Sequence, residues 1–126
     1  FWMPFAPIIL DSCADRYVIH YKHVNSDSMM FAFRAREDAY SDLKAATHLE
    51  DHTTRPQILR RRANPRMYHI LEHFQSLTGR GALLNTSFNL HGYPIVYKPV
   101  DALRVFKKSG LKHIALEKAF ISKADV

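Results

Sequence analysis

Apolar residues come in short blocks along the first half of this chain, and fall into helical periods only later. Ala6–Leu10 is a continuous apolar run of strand length, stopped by Asp11 and Ser12. It predicts a buried strand. Residues 16–23 mix tyrosine, valine and isoleucine with basic side chains and fit either a strand or an irregular segment. Residues 28–34 alternate weakly, are rich in Met and Phe, and predict another strand. Residues 37–44 are polar and read as a loop or one short turn, with strands expected at 45–49 and 57–61.

The clearest helix spans residues 65–77. Asn64 is a good N-cap, Pro65 suits the first helical position, and Gly79 after Thr78 supplies a stop. Met67, Ile70, Leu71, Phe74 and Leu77 share one face by their spacing. A strand at 82–84 follows. A second helix is expected over Pro99–Lys108, with Leu103 and Phe106 inward and Gly110 ending it. His113–Leu116 and Ala119–Ser122 can pair as a terminal hairpin. Strands and helices alternate toward the end, so the fold class is α/β, with α+β as the alternative. No internal repeat or linker interrupts the chain, which predicts a single domain over residues 1–126.

Composition narrows the class. The 126 residues are 47% hydrophobic and 24% charged, which is ordinary for a globular domain with one core. A net charge of +6 favours anionic partners: nucleotides, phosphates, nucleic acid or an acidic membrane. The single cysteine, Cys13, excludes an internal disulfide and points to a reducing, cytoplasmic setting. It reads as an incidental thiol. No apolar run approaches the roughly 20 residues of a membrane span, and the first residues lack the basic and apolar regions of a secretory leader.

The densest candidate chemistry lies at Leu83-Leu84-Asn85-Thr86-Ser87-Phe88-Asn89, followed by Gly92-Tyr93-Pro94-Ile95-Val96. An apolar strand ending in amides and hydroxyls can hold an uncharged polar group or a ribose at its carboxyl end, where ligands sit in open α/β sheets. The same residues can instead cap their own backbone in a turn. Arg55, after Thr53-Thr54 and before Pro56-Gln57, stands at a strand mouth, where a guanidinium can bind phosphate or carboxylate through two bonds. Taken alone, it reads as a surface arginine. Arg60-Arg61-Arg62 and Lys107-Lys108 are solvated charge runs, because no aromatic residue interleaves the arginines as in a nucleic-acid surface. Arg34 and Arg36 face an anionic ligand or water.

His69 and His73 have the i, i+4 spacing of zinc ligands, but Ile70 breaks the HExxH pattern. His48 with His52, and His20 with His23, lack a third ligand at suitable spacing, so no metal site is expected. Ser87 has no glycine-flanked elbow, and phosphate-loop and dinucleotide glycine patterns are absent.

Residues 83–89 together with 92–96 resemble the LNTSFN…GePIV signature of the O-carbamoyltransferases, a family that includes nodulation-factor and antibiotic carbamoyltransferases. In the same order, Pro4-Phe5-Ala6-Pro7 resembles the family's RPFAP, Ser28-Met29-Met30-Phe31 its SPYMM, and Ala45-Ala46-Thr47-His48 its PAATH. Asp101-Ala102-Leu103 and Ser109-Gly110-Leu111 resemble the closing helix and strand. Thr53 to Gln57 resembles the family's Thr-Ala-Arg-Val-Gln, with Thr54 and Pro56 departing from it.

The resemblance implies a YrdC-like mixed twisted sheet with flanking helices, of which this chain is the C-terminal part, its start falling inside RPFAP. It implies that ATP and carbamoyl phosphate are joined into carbamoyl-adenylate with release of pyrophosphate. A separate N-terminal domain, absent here and carrying the family's metal, then transfers the carbamoyl group to a hydroxyl of a small molecule. By the same likeness Arg55 binds a phosphate and Asn85 and Ser87 hold the carbamoyl-adenylate, with Thr86, Asn89 and His48 in supporting contacts. The partners implied are the small-molecule substrates and the N-terminal domain, with no membrane or nucleic acid. The alternatives are a nucleotide-binding module without turnover, or an RNA-interacting one.

Overall fold

Five consecutive apolar residues form the middle strand of the principal sheet. The computed structural model describes residues 5–124, so Pro4 of the RPFAP-like motif lies outside it. Strand β1 (Ala6–Leu10) pairs in parallel with β4 (Gln57–Leu59) and antiparallel with β5 (Ala82–Asn85), in the order β4-β1-β5. Ile9, Leu10 and Ile58 are fully buried, and Tyr17, Val18, Leu43 and Leu71 close around them. Short β2 (Phe33–Arg34) and β3 (Thr53–Thr54) pair antiparallel beside this core. Helix α1 (Ala14–Tyr17) follows β1, and α3 (Pro65–Thr78) connects β4 to β5. The chain is α/β, with helices and a mixed sheet, and divides into two compact units, one up to Thr86 and one from Ser87.

In the second unit, α4 (Pro99–Lys108) packs Ala102 and Phe106 against Ile114 of β6 (His113–Leu116), which pairs with β7 (Ala119–Ser122). Phe88, Val96 and Leu116 complete this smaller core. Among the described residues no helix is long and apolar enough to cross a membrane.

The second helix and the terminal hairpin fall where the pattern predicts. The cap of α3 also holds: Asn64 Oδ1 accepts from the Met67 N–H at 3.1 Å, and Gly79 ends the helix at φ 74°. Its apolar face is narrower than expected. Leu71 is buried and Met67 and Phe74 are half-buried, but Ile70 and Leu77 are exposed. At 100° per residue, those two sit about 60–80° from Met67, at the edge of the stripe.

Several elements correct the sequence reading. Residues 28–34 are extended only at Phe33–Arg34, because Met29 adopts φ 56° and its N–H turns back to Ser26 O. Residues 16–23 contain the end of α1 and one bridge, Val18 to Ala35. Residues 37–46 are helical almost throughout: 3-10 turns at Glu37–Ala39 and Lys44–Ala46 flank α2 (Tyr40–Leu43). Buried Ala39, Leu43 and Ala46 mark the inward face of that run.

No strand forms at 45–49, because the Thr54 hydroxyl donates to Ala46 O at 2.6 Å and the Thr47 hydroxyl to Leu43 O at 2.9 Å. Such side-chain bonds take carbonyls away from a ladder. In α4, Leu103 is exposed while Ala102 is inward. The helix stops at Ser109, whose N–H reaches Val105 O, rather than at Gly110.

Gly81 shows how tightly α1 and β5 approach. Its N–H donates to Tyr17 Oη at 2.9 Å, its carbonyl accepts from Leu10, and burial pushes the Tyr17 phenol pKa up. A Cβ at Gly81 would stand 2.6 Å from Cys13 Sγ and 2.8 Å from Cys13 Cβ. Gly81→Ala should therefore destabilise the protein by about 1–3 kcal/mol, read as a lower urea midpoint at unchanged slope.

The turn into β3 carries its own pH dependence. The Thr53 N–H donates to Asp51 Oδ1 at 2.9 Å and its hydroxyl at 2.8 Å, and these bonds hold the Asp51 pKa below the usual carboxylate range. A lowered folded pKa stabilises the native state above the unfolded value, and that stability is lost as pH falls through the folded one. The stability difference between wild type and Asp51→Ala should narrow in that acid window, as measured by unfolding at stepped pH. A gap that stays constant through the window would contradict this.

Candidate functional site

The antiparallel direction of β5 decides which residues meet. Asn85, its last residue, lies opposite Ala6, the first residue of β1, while Gln57, the first residue of β4, lies opposite Ile8. The carboxyl end of β5 is thus the amino end of β1 and β4. The rule that ligands sit beyond the carboxyl ends of parallel strands does not describe this edge. What the edge gathers instead is the end of one strand and the approach to another. Arg55, just before β4, and Asn85 lie at the same end of the sheet.

Ala6 and Ile8 project to one face of β1, and their partners Asn85 and Gln57 share that face. The two amides meet across β1: Asn85 Nδ2 donates to Gln57 Oε1 at 3.0 Å. Gln57 Nε2 in turn donates to the carbonyl of Asp27 at 3.0 Å. The loop that supplies Asp27 is clamped on the same strand by Ser26, which is fully buried. The Ser26 hydroxyl donates to Pro56 O at 2.9 Å, and Ser26 O accepts from the Ile58 N–H at 3.0 Å. Arg60 adds a bond to Val24 O at 3.1 Å. One continuous path of hydrogen bonds therefore joins the segment around Ser28–Met29 to Asn85.

Arg55 is exposed and makes no hydrogen bond or ion pair with any described residue. Arg34, Arg61 and Arg62 are likewise exposed and without a side-chain partner among the described residues, whereas four other arginines are committed within the fold. Arg16 donates to Gly79 O, while Arg36, Arg80 and Arg104 pair with Asp38, Asp42 and Asp101. The Arg55 guanidinium keeps its full donor set for an external acceptor. Pro56, fully buried, fixes the backbone just after it. His48 is exposed and tied by its main chain to β3, its N–H donating to Thr53 O at 2.8 Å. That bond places it next to the strand that leads into Arg55.

Thr86 is exposed at the end of the first unit, and Ser87 opens the second. Within the second unit the rest of the signature folds on itself. Ser87 Oγ donates to Asn89 Oδ1 at 2.6 Å, and Asn89 Nδ2 donates to Tyr93 O at 2.9 Å and to Leu90 O at 3.2 Å. Gly92 adopts φ 80°, and the Val96 N–H reaches Phe88 O. Asn89 is thus the clamp of the 89–93 turn and the anchor of the Ser87 hydroxyl. Ser87 keeps acceptor capacity on its oxygen.

Two cavities lie away from these residues. One of about 140 Å³ in the first unit is lined by Pro7, Ala45, Ala46 and Leu84 among others. Another of about 320 Å³ in the second unit is mostly apolar, with Tyr93, Ile95, Tyr97 and Val105 in its wall. Neither is lined by Arg55, Asn85 or Ser87. Among the described residues no group of three His, Cys, Asp or Glu side chains could hold a metal ion; His69 Nδ1 instead stands 3.1 Å from Glu72 Oε2. The residue that the sequence reading left without a role is Gln57. Its signal was a lone amide opening an otherwise apolar strand.

Comparison with known proteins matches the sequence to one family. A family model described as carbamoyltransferase C-terminus matches residues 1–123. An uncharacterized protein of Methanocaldococcus jannaschii is 38% identical over 122 residues, covering 97% of this chain and 23% of its own length. Nodulation protein NolO of Bradyrhizobium diazoefficiens is 34% identical over 111 residues, 87% of this chain and 20% of that protein. Nodulation protein NolNO of Sinorhizobium fredii is 32% identical over 123 residues, 97% and 18% respectively. The chain thus spans about a fifth of the length of these relatives. With residues 1–123 inside the family match and relatives at 32–38% identity over most of its length, the chain belongs to the carbamoyltransferase C-terminus family.

Proposed function

We propose that this chain carries part of a site that makes carbamoyl-adenylate, within a longer protein that transfers the carbamoyl group to a hydroxyl of a small molecule. The observation that carries this reading is the uncommitted Arg55 guanidinium at the same sheet end as the Asn85 amide. The two groups offer what the two halves of such a molecule need. Arg55 supplies charge for a phosphate, and Asn85 supplies a neutral donor–acceptor pair for an amide.

The chemistry sets the demand for cationic help. Joining a carbamoyl group to adenosine monophosphate expels inorganic phosphate from carbamoyl phosphate and pyrophosphate from ATP, and the balance requires one water. The reacting partners are both anions, so a fixed guanidinium lowers the barrier by offsetting charge that builds as they approach. Ser87, its proton directed to Asn89, presents oxygen lone pairs to donors of the ligand. His48 and Thr86 are exposed nearby in sequence to Arg55 and Ser87 and serve as supporting contacts. The acceptor hydroxyl and the transfer step belong to the larger part of the protein.

In the full-length protein, Arg55→Ala should lower carbamoyl-phosphate-dependent ATP–pyrophosphate exchange roughly ten- to a hundredfold, the worth of one charge-assisted hydrogen bond in the transition state. Ser87→Ala should cost less, since a neutral hydrogen bond contributes about 1 kcal/mol. Equal exchange by wild type and Arg55→Ala would remove Arg55 from the site.

The isolated 126-residue chain should not catalyse the exchange, because it supplies only about a fifth of its relatives' length. Turnover by the purified chain at the full-length rate would show that the whole site lies here.

A further inference from the structure

A backbone carbonyl can only accept a hydrogen bond. That single fact orients every amide along the path from Asp27 to Asn85. Because Gln57 meets the carbonyl of Asp27, the group facing it is the Gln57 –NH2, at 3.0 Å. The Gln57 Oε1 then faces the other way, toward Asn85. An oxygen there demands a donor, so Asn85 presents its Nδ2, also at 3.0 Å. With its nitrogen committed to Gln57, the planar Asn85 amide turns its oxygen away from Gln57. Asn85 Oδ1 has no hydrogen-bond partner among the described residues.

We propose that Gln57 is a positioning residue: it sets the Asn85 amide so that Oδ1 accepts from the –NH2 of the carbamoyl group. The site thereby selects carbamoyl over acyl groups that carry a methyl in that place. This rests on the carbamoyl-adenylate reading and deepens it. Carbamoyl and acetyl groups have nearly the same size and the same planar carbonyl, so shape alone separates them poorly. They differ in the group beside the carbonyl, which donates in one and is apolar in the other. An acceptor aimed there is satisfied by –NH2 and left unpaired by –CH3, and a polar atom that the ligand covers without pairing is costly. Were the Asn85 amide turned over, two –NH2 groups would face each other and the preference would be lost.

The arrangement also explains why the anchor is a main-chain carbonyl. A side-chain partner for Gln57 could itself rotate and let the whole path reverse. Asp27 O cannot reverse, and its loop is pinned by the buried Ser26 hydroxyl on Pro56 O and by the Ile58 N–H on Ser26 O. Polarity is therefore carried from the backbone through Gln57 to the atom that meets the ligand.

The test uses the full-length protein and compares kcat/KM for ATP–pyrophosphate exchange supported by carbamoyl phosphate or by acetyl phosphate. Gln57→Met keeps the length of the side chain and removes both bonds. Gln57→Glu keeps the acceptor that faces Asn85 and removes only the donor to Asp27 O. The carbamoyl-to-acetyl ratio should fall about fivefold in Gln57→Met, the worth of one neutral hydrogen bond. It should stay within about twofold of wild type in Gln57→Glu, even if both rates drop. Taking the ratio cancels the effect of the new charge on phosphate binding.

A Gln57→Met enzyme with the wild-type ratio overturns the proposal, as does a Gln57→Glu enzyme that loses selectivity as fully as Gln57→Met. If Gln57→Met does not fold, Gln57→Glu decides alone, retention of the ratio supporting the proposal and its loss overturning it. A wild-type protein with no carbamoyl-phosphate-dependent exchange would instead remove the proposed function, and this inference with it.

Discussion

Strand β1 is the constraint on which the first unit depends. It is apolar on both faces, with Ile8, Ile9 and Leu10 all buried, and it is hydrogen-bonded on both edges. Burying each such side chain contributes about 1.5–3 kcal/mol, and pairing on both edges leaves no main-chain group of the strand interior without a partner. A strand apolar on both faces does not fix its own register, because a slip by one residue exchanges one apolar face for another. Polar features at the ends supply what the pattern lacks. Asn85 and Gln57 can meet only when β5 and β4 are both in the observed register against β1. The same bond that orients the site therefore also helps specify the sheet.

The parts of the fold that were legible in the sequence are those whose signal is local. Asn64-Pro65 and Gly79 mark the ends of α3 by chemistry that acts within one turn, and the hairpin of β6 and β7 is a contact between neighbours in the chain. The parts that were not legible are those decided by distant partners. Residues 45–49 carry an apolar start that suits a strand, but Thr54 takes the Ala46 carbonyl and holds the segment in a turn. Residues 28–34 have strand composition, and Met29 in the left-handed region breaks the run. The helical face of 39, 43 and 46 was present as a spacing but was obscured by the polar residues between. In α4, alanine proved the inward residue and leucine the outward one, because close approach to β6 favours the smaller side chain.

The candidate site divides along the same line. Arg55 and Asn85 were found through likeness to a family, since neither has a local signal stronger than that of a surface arginine or a polar turn. Nothing in the spacing of residues 55 and 85 says that they share an edge; the reversed direction of β5 does. Ser87 and Asn89 show the self-capping reading of the motif directly. Asn89 closes the turn on Leu90 and Tyr93, as a self-capping loop requires, and in doing so it fixes where the Ser87 hydroxyl points.

A neutral amide path suits a carbamoyl ligand for a reason that a charged one would not. A lysine or aspartate aimed at the carbamoyl group would bind strongly to many anions or cations, and its attraction would act through distance rather than direction. Neutral hydrogen bonds are weaker but demand that donor face acceptor within a narrow angle. Discrimination between –NH2 and –CH3 is a question of direction, not of charge. In the proposed site the edge formed by β1, β4 and β5 would separate the two tasks: a guanidinium before β4 for affinity toward phosphate, and an amide at the end of β5 for the identity of the acyl group. The Asn85 amide is oriented through Gln57 by the main-chain carbonyl of Asp27, so on the proposed reading the choice of acyl group would rest on the backbone of the 24–29 loop.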